Sequence, residues 1–312
     1  METAVEVQGL SYGYAKRHVL DKISFSVNAG EIFGVVGPNG SGKTTLFRIL
    51  STLILARQGR VLIHGFDLQQ AGSDVRRKIG VVFQNPALDL QLSVFENLLY
   101  QGRLYGLFGQ TLKDRAEILL KRLGLLDRKS DKAKILSGGL KRRLELAKGL
   151  MHQPAVLLLD EPSTGLDPGA RKDLWTYLHK LRLEAGVTIL VTTHLMEEAE
   201  HCDRIAIFER GRLVALDTPQ KLKESAGSER IELTLPGEKE KIAEQMRQRF
   251  GVTVHILENG LQIEHAAASA FLPQLLAAFP GEFETVTLRK PTLEDVFMLK
   301  TGHRFWGAAH EA

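Results

Sequence analysis

Gly37-Pro38-Asn39-Gly40-Ser41-Gly42-Lys43-Thr44-Thr45 sets a glycine, a four-residue gap and a Gly-Lys-Thr triplet in one run. That is the pattern of a loop that cradles phosphates. Gly40 and Gly42 let the backbone turn tightly and offer its N–H groups to an anion. The start of a following helix adds partial positive charge at the same point. Lys43 has the reach to contact β- and γ-phosphates, and the Thr44 hydroxyl suits Mg²⁺. The bland alternative is a glycine-rich turn. The spacing favours a site for a nucleoside triphosphate.

The elements needed to hold such a loop flank it. Glu31-Ile-Phe-Gly-Val-Val-Gly37 reads as a buried strand and Thr45 to Leu50 as the helix that follows. Three more apolar runs end on chemically competent residues. Ile79 to Phe83 ends on Gln84, placed either in the crevice where α/β sheets bind ligands or in a surface loop. Pro154 to Leu159 closes on Asp160-Glu161. An Asp at a buried strand's end suits a Mg²⁺-organising carboxylate, and the adjacent Glu161 can take a proton from attacking water. Val187 to Val191 closes on Thr192-Thr193-His194, and a histidine so placed beside a phosphate loop reads as functional. Ser137-Gly138-Gly139 opens the basic helix Lys141 to Lys148, either as an anion-receptive helix start or as a plain cap. Tyr12 and Tyr14 fall in the expected turn between two early strands, where an aromatic ring either stacks on a base or simply packs.

Composition narrows the class. The chain has 312 residues, 44% of them hydrophobic, and a formal charge of +4 without basic blocks, which does not suggest a nucleic-acid-binding tail. A single cysteine, Cys202, excludes an intrachain disulfide and fits a reducing cytosol. It sits beside His201 and Asp203 on an expected helix face and reads as inert, and no histidine spacing suggests a metal cage. The start lacks the basic and apolar regions of a signal peptide, and the richest apolar stretch, 266–279, is interrupted by Ser269, Pro273 and Gln274. A soluble polypeptide is expected.

Organisation follows from the order of patterns. An α/β nucleotide-binding unit is expected over 1–220, with an antiparallel β portion at its start. Helical periodicity through Val94, Leu98, Leu119 and Leu123 marks an all-helical insertion, about 88–150. Ile205 to Phe208 and Arg212 to Leu216 flank a hairpin signal. A polar linker is expected over 221–228, then a small α+β domain over 229–312. There the strand and helix patterns follow β-α-β-β-α-β, the order of a ferredoxin-like split unit, before a helix from Leu293 to Lys300 opened by a Thr292–Asp295 capping box.

Read together, GPNGSGKTT, LSGGL, VLLLDEP and TTH, with Gln84 after the first, resemble the ATP-binding subunit of ABC transporters over roughly residues 3 to 220. The Ser-Gly-Gly signature separates that family from other phosphate-loop ATPases. The resemblance implies the P-loop ABC-ATPase fold, and a role for each matching residue. Tyr14, six residues before Leu20, takes the adenine-stacking position. The loop from Gly37 to Thr45 holds the phosphates, and Thr44, Gln84 and Asp160 serve Mg²⁺. Glu161 is the general base, His194 the switch histidine at the γ-phosphate, and Asp167 part of the D-loop. Ser137, Gly138 and Gly139 contact ATP held by a second subunit, which implies a head-to-tail dimer around two ATP, and one complete motif set permits a dimer of identical chains. Separately encoded membrane permease subunits are implied as partners, with this chain peripheral on the inner face of the cell membrane and no nucleic acid. The signature's fifth residue is Leu140, where Gln is commonest in the family; activity is expected to survive. Leu140-Lys-Arg-Arg and the tail Pro291 to Phe297 look like the branch exporting drugs, antibiotics and lipids. The competing readings are a soluble ABC ATPase acting on ribosomes or DNA, and a nucleotide-sensing regulator.

Overall fold

Val5 and Val7 alternate with polar residues, as do Ile23, Phe25 and Val27, and all five apolar side chains are buried. Period-two patterning gives each strand one core face. A computed structural model describes residues 2–15, 17–227, 229–257, 259–265, 267–303 and 305. β1 (Thr3–Tyr14) and β2 (Arg17–Asn28) pair antiparallel. Tyr12 and Tyr14, expected in the turn, lie within β1, paired with Leu20 and Arg17. The hairpin is tighter than the sequence suggested.

β3 (Ile32–Val36) leads through the glycine loop into α1 (Lys43–Leu50). β4 (Gln58–Ile63) and β5 (Phe66–Asp67) complete the first sheet, in the order β2-β1-β4-β5. α2 (Gly72–Lys78) precedes β6 (Ile79–Val82), and three helices follow: α3 (Val94–Leu104), α4 (Gly109–Arg122) and α5 (Gly138–Leu150). Ser93 and Glu96 close a capping box on α3, which fixes where the helical insertion begins. β7 (Val156–Asp160), α6 (Pro168–Ala185), β8 (Thr188–Thr193), α7 (Met196–Ala199), β9 (Arg204–Glu209) and β10 (Arg212–Asp217) follow. α6 starts at an Asp167 cap with Pro168 in its first turn and stops at left-handed Gly186, the usual asymmetry of helix ends. His201, Cys202 and Asp203 lie past α7, not on a helix face. Asp203 is drawn off the helical path by its bonds to the Ile32 backbone, whose N–H donates to Asp203 Oδ2 at 2.8 Å. Burial pushes the Cys202 thiol well above its ordinary range.

The second sheet has six strands in the order β10-β9-β3-β8-β7-β6. All its pairs are parallel except β10 with β9. Its central strands β3, β7 and β8 are buried throughout, as a sheet covered on both faces requires. Phe33, Leu46, Phe47, Leu158 and Leu190 join Val7 and Phe25 in one core, so the two sheets share a single hydrophobic cluster. Each such large side chain contributes about 1.5–3 kcal/mol through burial.

The chain divides into two compact units, one up to Pro219 and one from Gln220 onward. The stretch 221–228 departs from its expected linker form: α8 (Pro219–Ser225) coils through most of it, led by Pro at its first position, and Ser228 lies outside the described residues. In the second unit β11 (Glu229–Thr234), α9 (Lys239–Phe250), β12 (Thr253–Leu257), β13 (Gly260–His265), α10 (Ala268–Ala278) and β14 (Thr285–Arg289) precede α11 (Leu293–Thr301). The sheet runs β12-β13-β11-β14 with every neighbouring pair antiparallel, the arrangement of a split βαβ unit. Gly260 is required at the turn into β13 because a Cβ there would meet Leu233 O at 1.9 Å. Thr292 and Asp295 form the expected capping box on α11.

Candidate active site

β3, β8, β7 and β6 are successive neighbours and point the same way, with Val36 opposite Thr193, Asp160 opposite Thr192, and Val82 opposite Leu159. Parallel strands lie about 4.8 Å apart, so whatever follows their carboxyl ends must gather at one edge. Those continuations are the glycine loop, His194, Glu161 and Gln84.

The glycine loop is shaped by sterics. Gly40 and Gly42 have φ of 81° and 105°, the left-handed region, and Gly42 caps α1. At Gly37 a Cβ would meet Phe208 O at 2.4 Å and Ser41 Oγ at 2.6 Å. Lys43, 4% exposed, turns its ammonium back into the loop, donating to Gly37 O at 2.7 Å and Pro38 O at 3.0 Å. Burial pulls the Lys43 pKa down, and the nearby Glu161 and Asp160 partly restore it.

Glu161 is the focus. Its Oε1 lies 3.9 Å from Lys43 Nζ. Its Oε2 accepts from Gln84 Nε2 at 3.2 Å and Thr164 Oγ1 at 3.3 Å, and stands 3.1 Å from His194 Nδ1. The backbone of Glu161 is left-handed at φ 44°, a conformation that costs a non-glycine residue on the order of 1–3 kcal/mol and recurs at functional sites. Thr192 holds it there: the Glu161 N–H donates to Thr192 O at 3.2 Å and to Thr192 Oγ1 at 3.0 Å. The same hydroxyl donates to Asp160 Oδ1 at 2.6 Å, so one threonine braces both acids. Burial raises the Asp160 pKa, with the Thr192 bond opposing it.

Sequence reasoning assigned no role to Thr192 or Thr164. Thr192 opens the Thr-Thr-His string, and its pairing opposite Asp160 was the missing signal; only strand order reveals it. Conversely, Ser137 and Asp167 stand apart from this cluster. Each caps its own helix, Ser137 Oγ accepting from Leu140 N at 3.4 Å and Asp167 Oδ1 from Ala170 N at 2.9 Å, and Ser137, Gly138 and Asp167 are exposed. Leu140 therefore takes part in the cap through its backbone, whatever its side chain. Tyr14 is 42% exposed and meets Tyr12 edge-on at 5.1 Å, whereas Tyr12 packs against the core.

A carboxylate braced at a strand end, beside a buried lysine folded into a glycine loop, suits phosphoryl chemistry on a nucleotide. The profile of the ABC transporter family matches residues 20–164. Daunorubicin resistance ATP-binding protein DrrA3 of Streptomyces coeruleorubidus is 38% identical over 315 residues, covering 96% of each chain. This chain belongs to the ABC transporter family.

Linearmycin resistance ATP-binding protein LnrL of Bacillus subtilis (strain 168) is 35% identical over 306 residues, spanning 96% of this chain and 98% of that one. Among solved structures, a dimeric ATP-binding cassette in a post-hydrolysis state, bound to ADP and Pi, superposes with a TM-score of 0.62 at 28% identity, covering 69% of this chain and 98% of the other. The fold is the P-loop ABC-ATPase fold, and the protein is an ABC ATPase that binds and hydrolyses ATP. Among the described residues no helix is long and apolar enough to cross a membrane.

The residues present also fit Mg²⁺. Ser41 Oγ is buried without a hydrogen-bond partner among the described residues, the Thr44 side chain is exposed at the start of α1, and Asp160 is a buried carboxylate one strand from His194's strand. Hydroxyl and carboxylate oxygens with few protein ligands suit an ion that arrives with phosphates.

Proposed function

We propose that this ABC ATPase powers export of a drug-, antibiotic- or lipid-like compound through separately encoded membrane permease subunits. The names of both resistance proteins support that substrate class. The soluble alternative acting on ribosomes or DNA is not favoured, since both relatives are resistance ATP-binding proteins that run the length of this chain. Two copies clasp two ATP head to tail, the loop of one facing Ser137, Gly138 and Gly139 of the other. The exposure of that cap and the dimeric cassette support this arrangement. The chain then sits on the cytoplasmic side of the membrane, attached through the permease.

The observation that carries the site reading is the convergence on Glu161 of Lys43, Gln84 and His194, each from a different strand end. Lys43 and the amides of residues 37–45 bind the β- and γ-phosphates, and Tyr14 stacks on adenine. Thr44, Gln84 and Asp160 hold Mg²⁺, which neutralises phosphate charge when bound. Glu161 takes the proton of the attacking water, and His194 orients Glu161 and the γ-phosphate. Asp167 fixes the turn that approaches the partner copy.

Glu161→Gln tests the reading. Turnover should fall by roughly 10²–10⁴-fold, the range for lost acid–base catalysis, while ATP binding persists and light scattering finds an ATP-dependent dimer. Unchanged turnover rejects Glu161 as base; a monomer at saturating ATP rejects the clasp. Affinity purification from detergent extracts should recover a membrane protein.

A further inference from the structure

One charged face of α5 grips the loop that carries Gln84. Arg142, Glu145 and Lys148 recur every third residue on that helix, so they share a face. Arg142 Nη1 donates to Phe83 O at 2.7 Å and Nη2 to Gln84 O at 3.1 Å. Glu145 Oε1 accepts from Ala87 N at 2.5 Å, and Lys148 Nζ donates to Ala87 O. Arg142 and Glu145 also pair with each other at 2.9 Å, and each is only 5% exposed. A surface salt bridge would need no such arrangement. Among the described residues, the other hydrogen bonds of this buried pair end on backbone atoms of Phe83, Gln84 and Ala87.

The two ends of this arrangement differ in function. Gln84 has its carbonyl held by α5 and its side-chain amide on Glu161 at 3.2 Å. The same helix begins at the exposed Ser137 cap, and Arg142 is five residues on, about 7.5 Å along the axis. A helix moves as a rigid rod over such a length. We propose that Arg142, with Glu145, is a positioning residue that fastens the Gln84 loop to the capping helix, so that capping the partner's nucleotide and setting Gln84 against Glu161 are one movement. This rests on the reading that Gln84 and Glu161 belong to the hydrolytic site.

The test is a set of variants in the full chain, assayed for ATP Kd, kcat and melting temperature, with its membrane partner where that co-purifies. Gln84→Ala sets the reference. Arg142→Ala should lower kcat about 10²-fold, the cost of misplacing a reacting group by about 1 Å, and move the ATP Kd less than about threefold. Combining the two should cost no more than Gln84→Ala alone, because both act through one group. Arg142→Lys should recover part of the loss, since an ammonium reaches one carbonyl but lacks the planar fork. Two double variants separate positioning from simple stability. Arg142→Met/Glu145→Leu keeps the site packed without charge, and should melt near the parent while remaining slow. Arg142→Glu/Glu145→Arg keeps an ion pair but reverses donors and acceptors toward the loop, and should also remain slow. Recovery of kcat in either double variant, or additive losses in the Gln84→Ala/Arg142→Ala combination, overturns the proposal while leaving the site reading intact. A Gln84→Ala variant with parental kcat overturns both.

Discussion

His194 Nδ1 stands 3.1 Å from Oε2 of Glu161, across two neighbouring strand ends. The same oxygen accepts from Gln84 and Thr164, so the carboxylate is fixed on that side while Oε1 faces Lys43. His194→Ala removes the lateral support without touching the glycine loop. Its kcat should fall by roughly 10²–10⁴-fold, with the ATP Kd changed less than about threefold, in steady-state turnover and nucleotide titration. A parallel rise in Kd would place His194 in ground-state binding instead.

Lys43→Met should weaken ATP binding roughly 10- to 100-fold, the cost of losing hydrogen bonds to a charged group, and abolish measurable turnover. Burial already lowers the pKa of this lysine, so anionic phosphate brought beside it should raise that pKa again. ATP binding should therefore take up protons at alkaline pH in the parent and not in Lys43→Met. Calorimetry in buffers of differing ionisation enthalpy measures this.

Asp160 carries a pH signature with a definite sign. Its folded pKa is raised above 3.8 by burial, so the folded chain holds this proton more tightly than the unfolded one. The stability linked to that proton is fully present below 3.8 and is lost as pH rises through the raised folded value. Asp160→Asn should then melt slightly higher than the parent at neutral pH without nucleotide, because Thr192 Oγ1 can still donate to the amide oxygen. The difference should shrink as pH falls toward 4. With Mg²⁺ and ATP the order should reverse, the parent gaining more.

The two tyrosines of β1 should separate cleanly. Tyr14 is exposed, and Tyr14→Ala should weaken ATP binding by about 1–3 kcal/mol, the value of base–aromatic stacking, with little change in melting temperature. Tyr12 packs on the core, and Tyr12→Ala should lower the melting temperature while moving the ATP Kd less than Tyr14→Ala does.

Gly37→Ala brings a Cβ to 2.4 Å from Phe208 O, a backbone atom that cannot swing aside. Stability should fall by about 1–3 kcal/mol in denaturant titration, as for overpacking elsewhere, and turnover should fall with it. Gly138→Ala is the contrasting case. A Cβ there meets nothing within 4 Å, so the isolated chain should melt normally while cooperativity in ATP suffers at the partner's nucleotide.

The sequence by itself carried the candidate site residues. Gly37 to Thr45, Ser137 to Gly139, Asp160-Glu161 and His194 lie in short strings whose spacing and flanking strand or helix patterns are local properties. Residues a few positions apart in a strand or helix have fixed relative directions, so their chemistry is readable before folding. The split βαβ order of the second unit was legible for the same reason.

Tertiary structure decided the rest. Gln84 and Glu161 are separated by 77 residues, and whether they meet depends on β6 lying beside β7. Strand order is set by long-range pairing and shared core, which no local periodicity encodes. The same holds for Thr192 bracing Asp160 and Glu161, for Tyr14 being the more exposed of the two β1 tyrosines, and for Arg142 and Glu145 reaching residues 83–87. In the sequence those two charges look like one more turn of a solvated basic helix. Only the packing of α5 against the end of β6 buries them and gives their hydrogen bonds a destination.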